Sequence, residues 1–183
     1  FKDKVLGVVL QNNNDAWDEG FHTKAIFDRN DGPTFEWDIV VGHHTPATMI
    51  GLFKESPSSY SHTEQHHTVY FENRDITVRE NGNNLTTLAN DDWESNYTYS
   101  KNQQYRVKIT LLVTGARYEI YKNGDFTSPA YTYQSAANGV TNRYVRPGAS
   151  IYYDTSAVHG VIFRGMAAGA QLGAATKISG NTI

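Results

Sequence analysis

Two adjacent histidine pairs, His43-His44 and His66-His67, with His62 close to the second, stand out among the residues able to do chemistry. Imidazole binds metal ions and moves protons near neutral pH. On an extended chain neighbouring side chains leave on opposite faces, so each pair can give one ring to a shared site. One member of each pair with His62 would suit zinc. A histidine with Tyr60 and Arg74 or Arg143 would instead suit proton abstraction. The plain alternative is a set of exposed loop histidines without a task, in loops too soft to preset geometry. Glu36 and Asp38 form a second set, spaced i, i+2 and sharing a face. Paired carboxylates about 5–5.5 Å apart serve retaining glycoside hydrolysis. The simpler reading is two polar side chains on the solvent face of a strand, and Glu72, Asp75 and Glu80 read as edge and turn residues.

Aromatic rings in polar surroundings give the stronger binding signal. Trp17, Tyr60, Trp93, Tyr97 and Tyr99 sit where no core pattern demands them, and His62 and His66 lie in the same kind of segment. Sugar C–H faces pack on such rings while neighbouring polar groups take the hydroxyls. These seven residues are the candidate ligand-binding set, carried by the loops Asn12 to Glu19, Ser56 to His67 and Asp91 to Tyr99, with Trp93 and Tyr60 as stacking platforms. The rival reading has the rings fold back to seal the ends of the fold. Asp91, Asp92 and Glu94 are the candidate metal ligands, since hard oxygen donors suit Ca²⁺. Asp15 with Asp18 and Glu19, and Asp28 with Asp31, are comparable clusters. No EF-hand spacing is present, and no cofactor is required by this reading beyond an expected structural Ca²⁺.

The elements that must position these groups are strands. From Thr34 to Gly124 the chain reads almost without break as extended segments. In Thr34 to Val41, Phe35, Trp37, Ile39 and Val41 share one face. Ala47 to Lys54 is apolar on both faces. Val69 to Glu72, Ile76 to Glu80, Gln104 to Val113 and Ala116 to Tyr121 follow, with Pro129 to Tyr133, Ala149 to Tyr153 and Val158 to Arg164 closing the series. Lys4 to Gln11 is an earlier apolar strand. Asn30 to Pro33 is a turn, and Asn81-Gly82 and Asn123-Gly124 suit two-residue hairpin turns. Glu55 to His67 and Asn83 to Asn102 read as long polar loops, a usual place for function. The expected core is Phe35, Trp37, Ile39, Ile50, Leu52, Val107, Ile109, Leu111, Ile120 and Ile162.

Composition narrows the classes. The chain has 183 residues and no cysteine, so no disulfide framework exists. Its net charge of -3 comes without a basic cluster, against nucleic acid as partner. No apolar run approaches the roughly 20 residues of a membrane helix. Residues 1–164 are expected to form one sandwich and 165–183, small and Gly/Ala-rich, a linker or neck to a following domain. Phe1 reads as the start of an excised piece, with a parent chain expected on both sides.

The strands Phe35-Glu36-Trp37-Asp38-Ile39, Met49-Ile50-Gly51-Leu52, Val69-Tyr70-Phe71-Glu72 and Ile76 to Gly82 resemble successive strands of concanavalin A-like (laminin-G-like) jelly-roll domains. Tyr105 to Ile109 followed by Gly115 to Gly124 resembles their back-to-back pair, so the resemblance covers Val5 to Arg164. It implies an all-β, antiparallel β-sandwich and a lectin-like, carbohydrate-binding module. Relatives include glycoside hydrolases and polysaccharide lyases, the alternative reading. Val40 breaks the Glu-x-Asp-x-Glu run of the laminarinase-type members, which leaves no catalytic residue to assign. A structural spacer is the third reading. Ala175 to Ile183 resembles a phrase of bacteriophage tail-tip and tail-fibre proteins. That implies a virion or extracellular location, a glycan or host cell-surface polysaccharide as partner, contacts with neighbouring domains, and a homotrimer.

Overall fold

The computed structural model describes residues 8–12, 16–17, 19–41, 47–72, 75–89, 103–122, 124–136, 143–152 and 159–168. Its strands, in chain order, are β1 (Val8–Asn12), β2 (Glu19–His22), β3 (Phe27–Asp28), β4 (Thr34–Val41), β5 (Ala47–Lys54), β6 (Gln65–Glu72), β7 (Asp75–Glu80), β8 (Asn83–Ala89), β9 (Gln103–Leu111), β10 (Ala116–Lys122), β11 (Tyr131–Gln134), β12 (Tyr144–Tyr152) and β13 (His159–Ala168). One sheet has the order β1-β13-β4-β9-β10-β11. The second has the order β2-β12-β5-β6-β7-β8, with β3 also paired to β12. Neighbours run antiparallel and are mostly not consecutive in sequence, which makes this a jelly-roll sandwich.

Period-two alternation decides which residues enter the core. Phe35, Trp37 and Ile39 of β4 are wholly buried, while Glu36 and Asp38 leave on the other side. Across the space between the sheets they meet Ile50, Leu52, Val69, Phe71, Ile76, Val78, Val145 and Ile151. Val107, Ile109, Leu111, Tyr118 and Ile120 complete the first sheet's inner face. The expected core residues are all there except Ile162, which lies on β13, outside the described side chains. A buried Trp such as Trp37 carries about 3–5 kcal/mol against truncation to Ala.

Several expectations need correction. Gln65 to His67 belong to β6, not to a loop, and their side chains are buried. Asn83 to Ala89 form edge strand β8, although Asn and Thr dominate it; pairing with β7 decides where intrinsic propensity is weak. Glu19 to His22 form β2 through pairing with β12. Asn81-Gly82 is a tight turn, with φ of 50° and 79°. Asn123-Gly124 does not close a two-residue hairpin, because β11 begins only at Tyr131. β13 runs to Ala168, so Gly165 to Ala168 pair with β4 inside the sheet. Residues 169–183 lie outside the described ones.

Candidate functional site

β6 carries two different chemistries because its side chains alternate. Its inner face presents His67, Val69 and Phe71 to the sandwich interior, and its outer face presents His66, Thr68 and Tyr70. His66 and His67 are therefore split between two environments.

The outer face of the second sheet carries an aromatic shelf. Trp17, in the bend before β2, lies with its ring centroid 5.3 Å from Tyr152, 5.8 Å from Tyr70 and 6.4 Å from His62. Tyr152 ends β12 and Tyr70 is on β6, so Trp17 lies across the intervening β5. The Arg79 guanidinium covers Tyr70 at 4.3 Å from its centroid. Tyr60 packs edge-on to Phe53 and 6.2 Å from His22. Trp17, Tyr60, His62, His22 and Tyr152 stay partly exposed, whereas Tyr70 and His66 are buried beneath them. Rings in this state offer a face to a ligand without needing to leave the core.

The segment between β5 and β6 is pinned rather than soft. Glu64 takes Lys54 Nζ at 2.6 Å and the Ser58 backbone N–H at 2.9 Å. Burial pushes its carboxyl up, but these two donors outweigh burial and hold it below its ordinary pKa. Arg146 Nε donates to the Glu55 carbonyl at 2.6 Å. Ser61 caps the short 3₁₀ turn His62–Glu64. This bracing holds Tyr60 and His62 over the sheet. His66 pairs through Nδ1 with Asn81 Oδ1 at 2.7 Å. Its pKa is lowered by burial, against the Asn81 bond, with Arg29 and Lys54 adding to the decrease.

The interior holds a second cluster. His67 Nδ1 is 2.9 Å from Glu80 Oε1 and 2.9 Å from the Tyr118 hydroxyl. Tyr118 donates to Glu80 Oε1 at 2.7 Å, and Ser135 Oγ donates to the same oxygen at 2.6 Å. The Arg29 guanidinium contacts His67 Nε2 and donates to the carbonyls of Leu112 and Gly115 at 3.2 and 2.9 Å. Gly115 has φ of 77°, and a Cβ there would lie 2.4 Å from the Ser135 carbonyl oxygen, so only glycine suits the turn. Burial lowers the His67 pKa, with Arg29 adding to the decrease against Glu80. Burial raises the Tyr118 hydroxyl well above its ordinary value, and Glu80 adds to that. Burial pushes the Glu80 carboxyl up, but hydrogen bonds from His67, Ser135 and Tyr118 leave it below its ordinary value. His67 and Glu80 belong to one sheet and Tyr118 to the other, so the cluster ties the sheets together.

Arg, His, Glu, Tyr and Ser look like a catalytic set, but His67 and Glu80 are 0% and 2% exposed. Both are closed to solvent, and the bonds of the set run between the two sheets. Glu80 is thus no edge or turn residue. Nothing in the local sequence marks it, because Tyr118 and Ser135 reach it from far along the chain.

Of the sequence-predicted ligand residues, Trp17, Tyr60, His62 and His66 share the outer face of the second sheet. Trp93, Tyr97 and Tyr99, and the metal candidates Asp91, Asp92 and Glu94, lie outside the described residues, as do His43, His44 and Arg74. Among the described residues no three His, Asp or Glu side chains gather to hold a metal ion, and the split of His66 from His67 removes His67 from any zinc set with His62. Asp38 is gripped by Arg106 at 2.6 and 2.8 Å, a solvent-side ion pair. Asp28 is occupied by the Asn30 N–H and by Arg143, at 2.7 Å. Sequence reasoning missed Tyr70, Tyr152, His22 and Arg79 on the outer face; their period-two positions on strands are the signal that places them there.

By sequence, no family profile and no curated protein matches the chain. By structure it is similar to the exoplasmic/lumenal domain of VIP36 in its Ca²⁺- and mannose-bound form. That match has a TM-score of 0.59 at 9% identity, covering 93% of this chain and 78% of that one. It is also similar to the SPRY domain of human HERC1, with a TM-score of 0.53 at 12% identity over 85% of this chain and 87% of that one. Alginate lyase AlgAT5 from polysaccharide lyase family 7 matches with a TM-score of 0.47 at 14% identity. The match covers 81% of this chain and 61% of the lyase, so the chain spans about three-fifths of the lyase's length. The likeness to VIP36 and to the SPRY domain, at these identities, shows the fold alone: an antiparallel β-sandwich of the jelly-roll kind, as expected.

Proposed function

We propose that this domain is a non-catalytic carbohydrate-binding module that holds glycan on the outer face of its second sheet. The observation that carries the reading is the Trp17 ring, braced by Tyr152, Tyr70 and His62 yet partly exposed. Tyr60 and His22 extend the shelf, and Arg79 and His62 supply polar groups beside it. VIP36, bound to mannose in its structure, shares the sandwich and is in keeping with a sugar ligand. Trp93, expected as a platform, lies outside the described residues; Trp17 and Tyr60 are the rings that support this reading.

The alternative is a polysaccharide lyase or glycoside hydrolase on the same fold. His66, Tyr70 and Arg79 share the outer face, with Arg79 over the Tyr70 ring, and these are group types that abstract and stabilise protons. The phage-tail setting, with its virion location and trimer, rests on Ala175 to Ile183 alone; the reading of 165–183 as a linker or neck rests on its small residues. A structural Ca²⁺ would be held by Asp91, Asp92 and Glu94.

The test is a panel of neutral and acidic polysaccharides offered to the domain, read by binding and by release of reducing ends or unsaturated uronate absorbance. Saturable binding without turnover is expected, weakened by Trp17→Ala. Turnover lost on Tyr70→Phe or His66→Gln would replace this reading with the enzyme. No binding to any polysaccharide would leave the spacer.

A further inference from the structure

Part of the second sheet's outer face is polar and yet closed to solvent. Gln65 and Thr68 of β6 and Ser150 of β12 lie there, 1%, 2% and 0% exposed. Gly51 of β5 lets them meet. It pairs with Thr68 on one side and with Gly148 on the other. With no side chain in the way, the Gln65 amide crosses β5 and donates from Nε2 to Ser150 Oγ at 2.8 Å. Thr68 Oγ1 donates to Gln65 Oε1 at 3.4 Å. One strand on, Thr77 of β7 pairs with Tyr70, and its buried hydroxyl makes no hydrogen bond.

Among the described residues, Trp17 and the segment 55–64 lie over this face. Tyr60 rests on Gly20 of β2, where a Cβ would sit 2.7 Å from its ring. His62 rests on Gly82 of the β7–β8 turn, where a Cβ would sit 3.1 Å from its ring. The segment therefore reaches from one side of the row to the other. Its hydrogen bonds among the described residues run within it or to its base. Glu64 takes the Ser58 N–H, and the Ser61 carbonyl takes the Glu64 N–H. Lys54 clasps Glu64, and Arg146 holds the Glu55 carbonyl. None of these bonds goes to the row. Ser56, Ser58, Ser59 and Ser61 bury little apolar surface, which leaves the Tyr60 ring as the main apolar anchor. A unit bonded to itself and resting on groups it does not bond opens ahead of the sheet below it.

We propose that 55–64 is a strap that lifts from this face, and that the row Gln65–Thr68–Ser150 beneath it is a subsite for a neutral sugar. The subsite rests on the glycan reading and lies a tier below the Trp17 shelf. Its groups match a pair of sugar hydroxyls. The Gln65 amide keeps a second N–H, the Ser150 hydroxyl keeps its own proton, and the Thr68 and Thr77 oxygens keep lone pairs. No member of the row ionises, which sets the class as neutral. Beside it, Lys54 and Glu64 neutralise each other at 2.6 Å, and the Arg79 guanidinium lies over the Tyr70 ring. Trp17 and Tyr70 stay on the sheet as a wall for the C–H face of the sugar. Tyr60 travels with the strap.

The chain has no cysteine, so one introduced thiol reports one position. Thr68→Cys and Ser150→Cys each place a thiol in the row, on different strands, so that either serves if the other fails to fold. Val69→Cys is the reference, next along β6 and wholly buried on the inner face. Iodoacetamide labelling is followed on the whole chain in native buffer without sugar. The row thiols are expected to react at least about tenfold faster than the reference, because lifting the strap is easier than unfolding the sheet. Glu64→Gln breaks the clasp with Lys54, while its amide oxygen still accepts from the Ser58 N–H. Added to a row thiol, it is expected to speed labelling roughly two- to fivefold, the range for a partly exposed ion pair. Alone, it is expected to tighten binding of a neutral polysaccharide by the same factor, since apparent affinity rises with the open fraction. Row thiols no faster than the reference overturn the strap. Fast row thiols with binding that Glu64→Gln weakens or leaves unchanged overturn the subsite and put the glycan on the closed shelf. Binding of acidic polysaccharides alone overturns the neutral class. Fast row thiols with no polysaccharide bound overturn the glycan reading, and the subsite with it, and leave the strap standing.

Discussion

His66 and His67 are neighbours in sequence and opposites in circumstance. His67 points into the sandwich, where each hydrogen bond its ring makes is with a polar side chain from another element. His66 points to the outer face, beneath rings that meet one another and solvent. The interior cluster has the residue types of catalysis without access. The outer shelf has access and shape without a fixed set of acid and base. The difference teaches that residue type alone does not locate function here: exposure separates a tie between sheets from the surface proposed for a ligand.

The comparison breaks most visibly at Glu80. Glu80→Ala leaves His67, Tyr118 and Ser135 without their shared acceptor and is expected to cost about 3–5 kcal/mol in urea unfolding, with polysaccharide binding of the remaining folded fraction unchanged. Trp17→Ala sharpens the other side. Removing a stacking ring costs about 1–3 kcal/mol of binding, so affinity for polysaccharide is expected to fall about tenfold or more while the melting temperature moves little. Tyr118→Phe deletes one donor to Glu80 and is expected to cost about 1–2 kcal/mol of stability. Asp38→Asn, which breaks a partly exposed pair with Arg106 on the first sheet, is expected to change stability by less than about 1 kcal/mol and binding not at all.

Legibility in the sequence followed the strength of local pattern. β4 and β5 were readable to the residue, because Phe35, Trp37 and Ile39 alternate cleanly and Met49 to Phe53 are apolar throughout. β8 was not, since an Asn- and Thr-rich segment becomes a strand only by pairing with β7. Gln65 to His67 read as loop because their buried polar side chains are justified only by partners distant in sequence. Glu80 read as a turn carboxylate for the same reason: His67, Tyr118 and Ser135 converge on it through topology, which no local window contains. Trp17 was legible as out of place in a polar segment. Its bracing by Tyr70 and Tyr152 was not, because β6 and β12 come together only in the folded sheet.

The most direct test measures melting temperature and polysaccharide affinity together for two variants, Trp17→Ala and Tyr118→Phe. The account predicts opposite losses. Trp17→Ala gives up affinity and keeps its melting temperature within a few degrees. Tyr118→Phe gives up melting temperature and keeps wild-type affinity at any temperature where it is folded. Loss of affinity in folded Tyr118→Phe, or collapse of Trp17→Ala with Tyr118→Phe unaffected, would contradict it by exchanging the roles of the two regions.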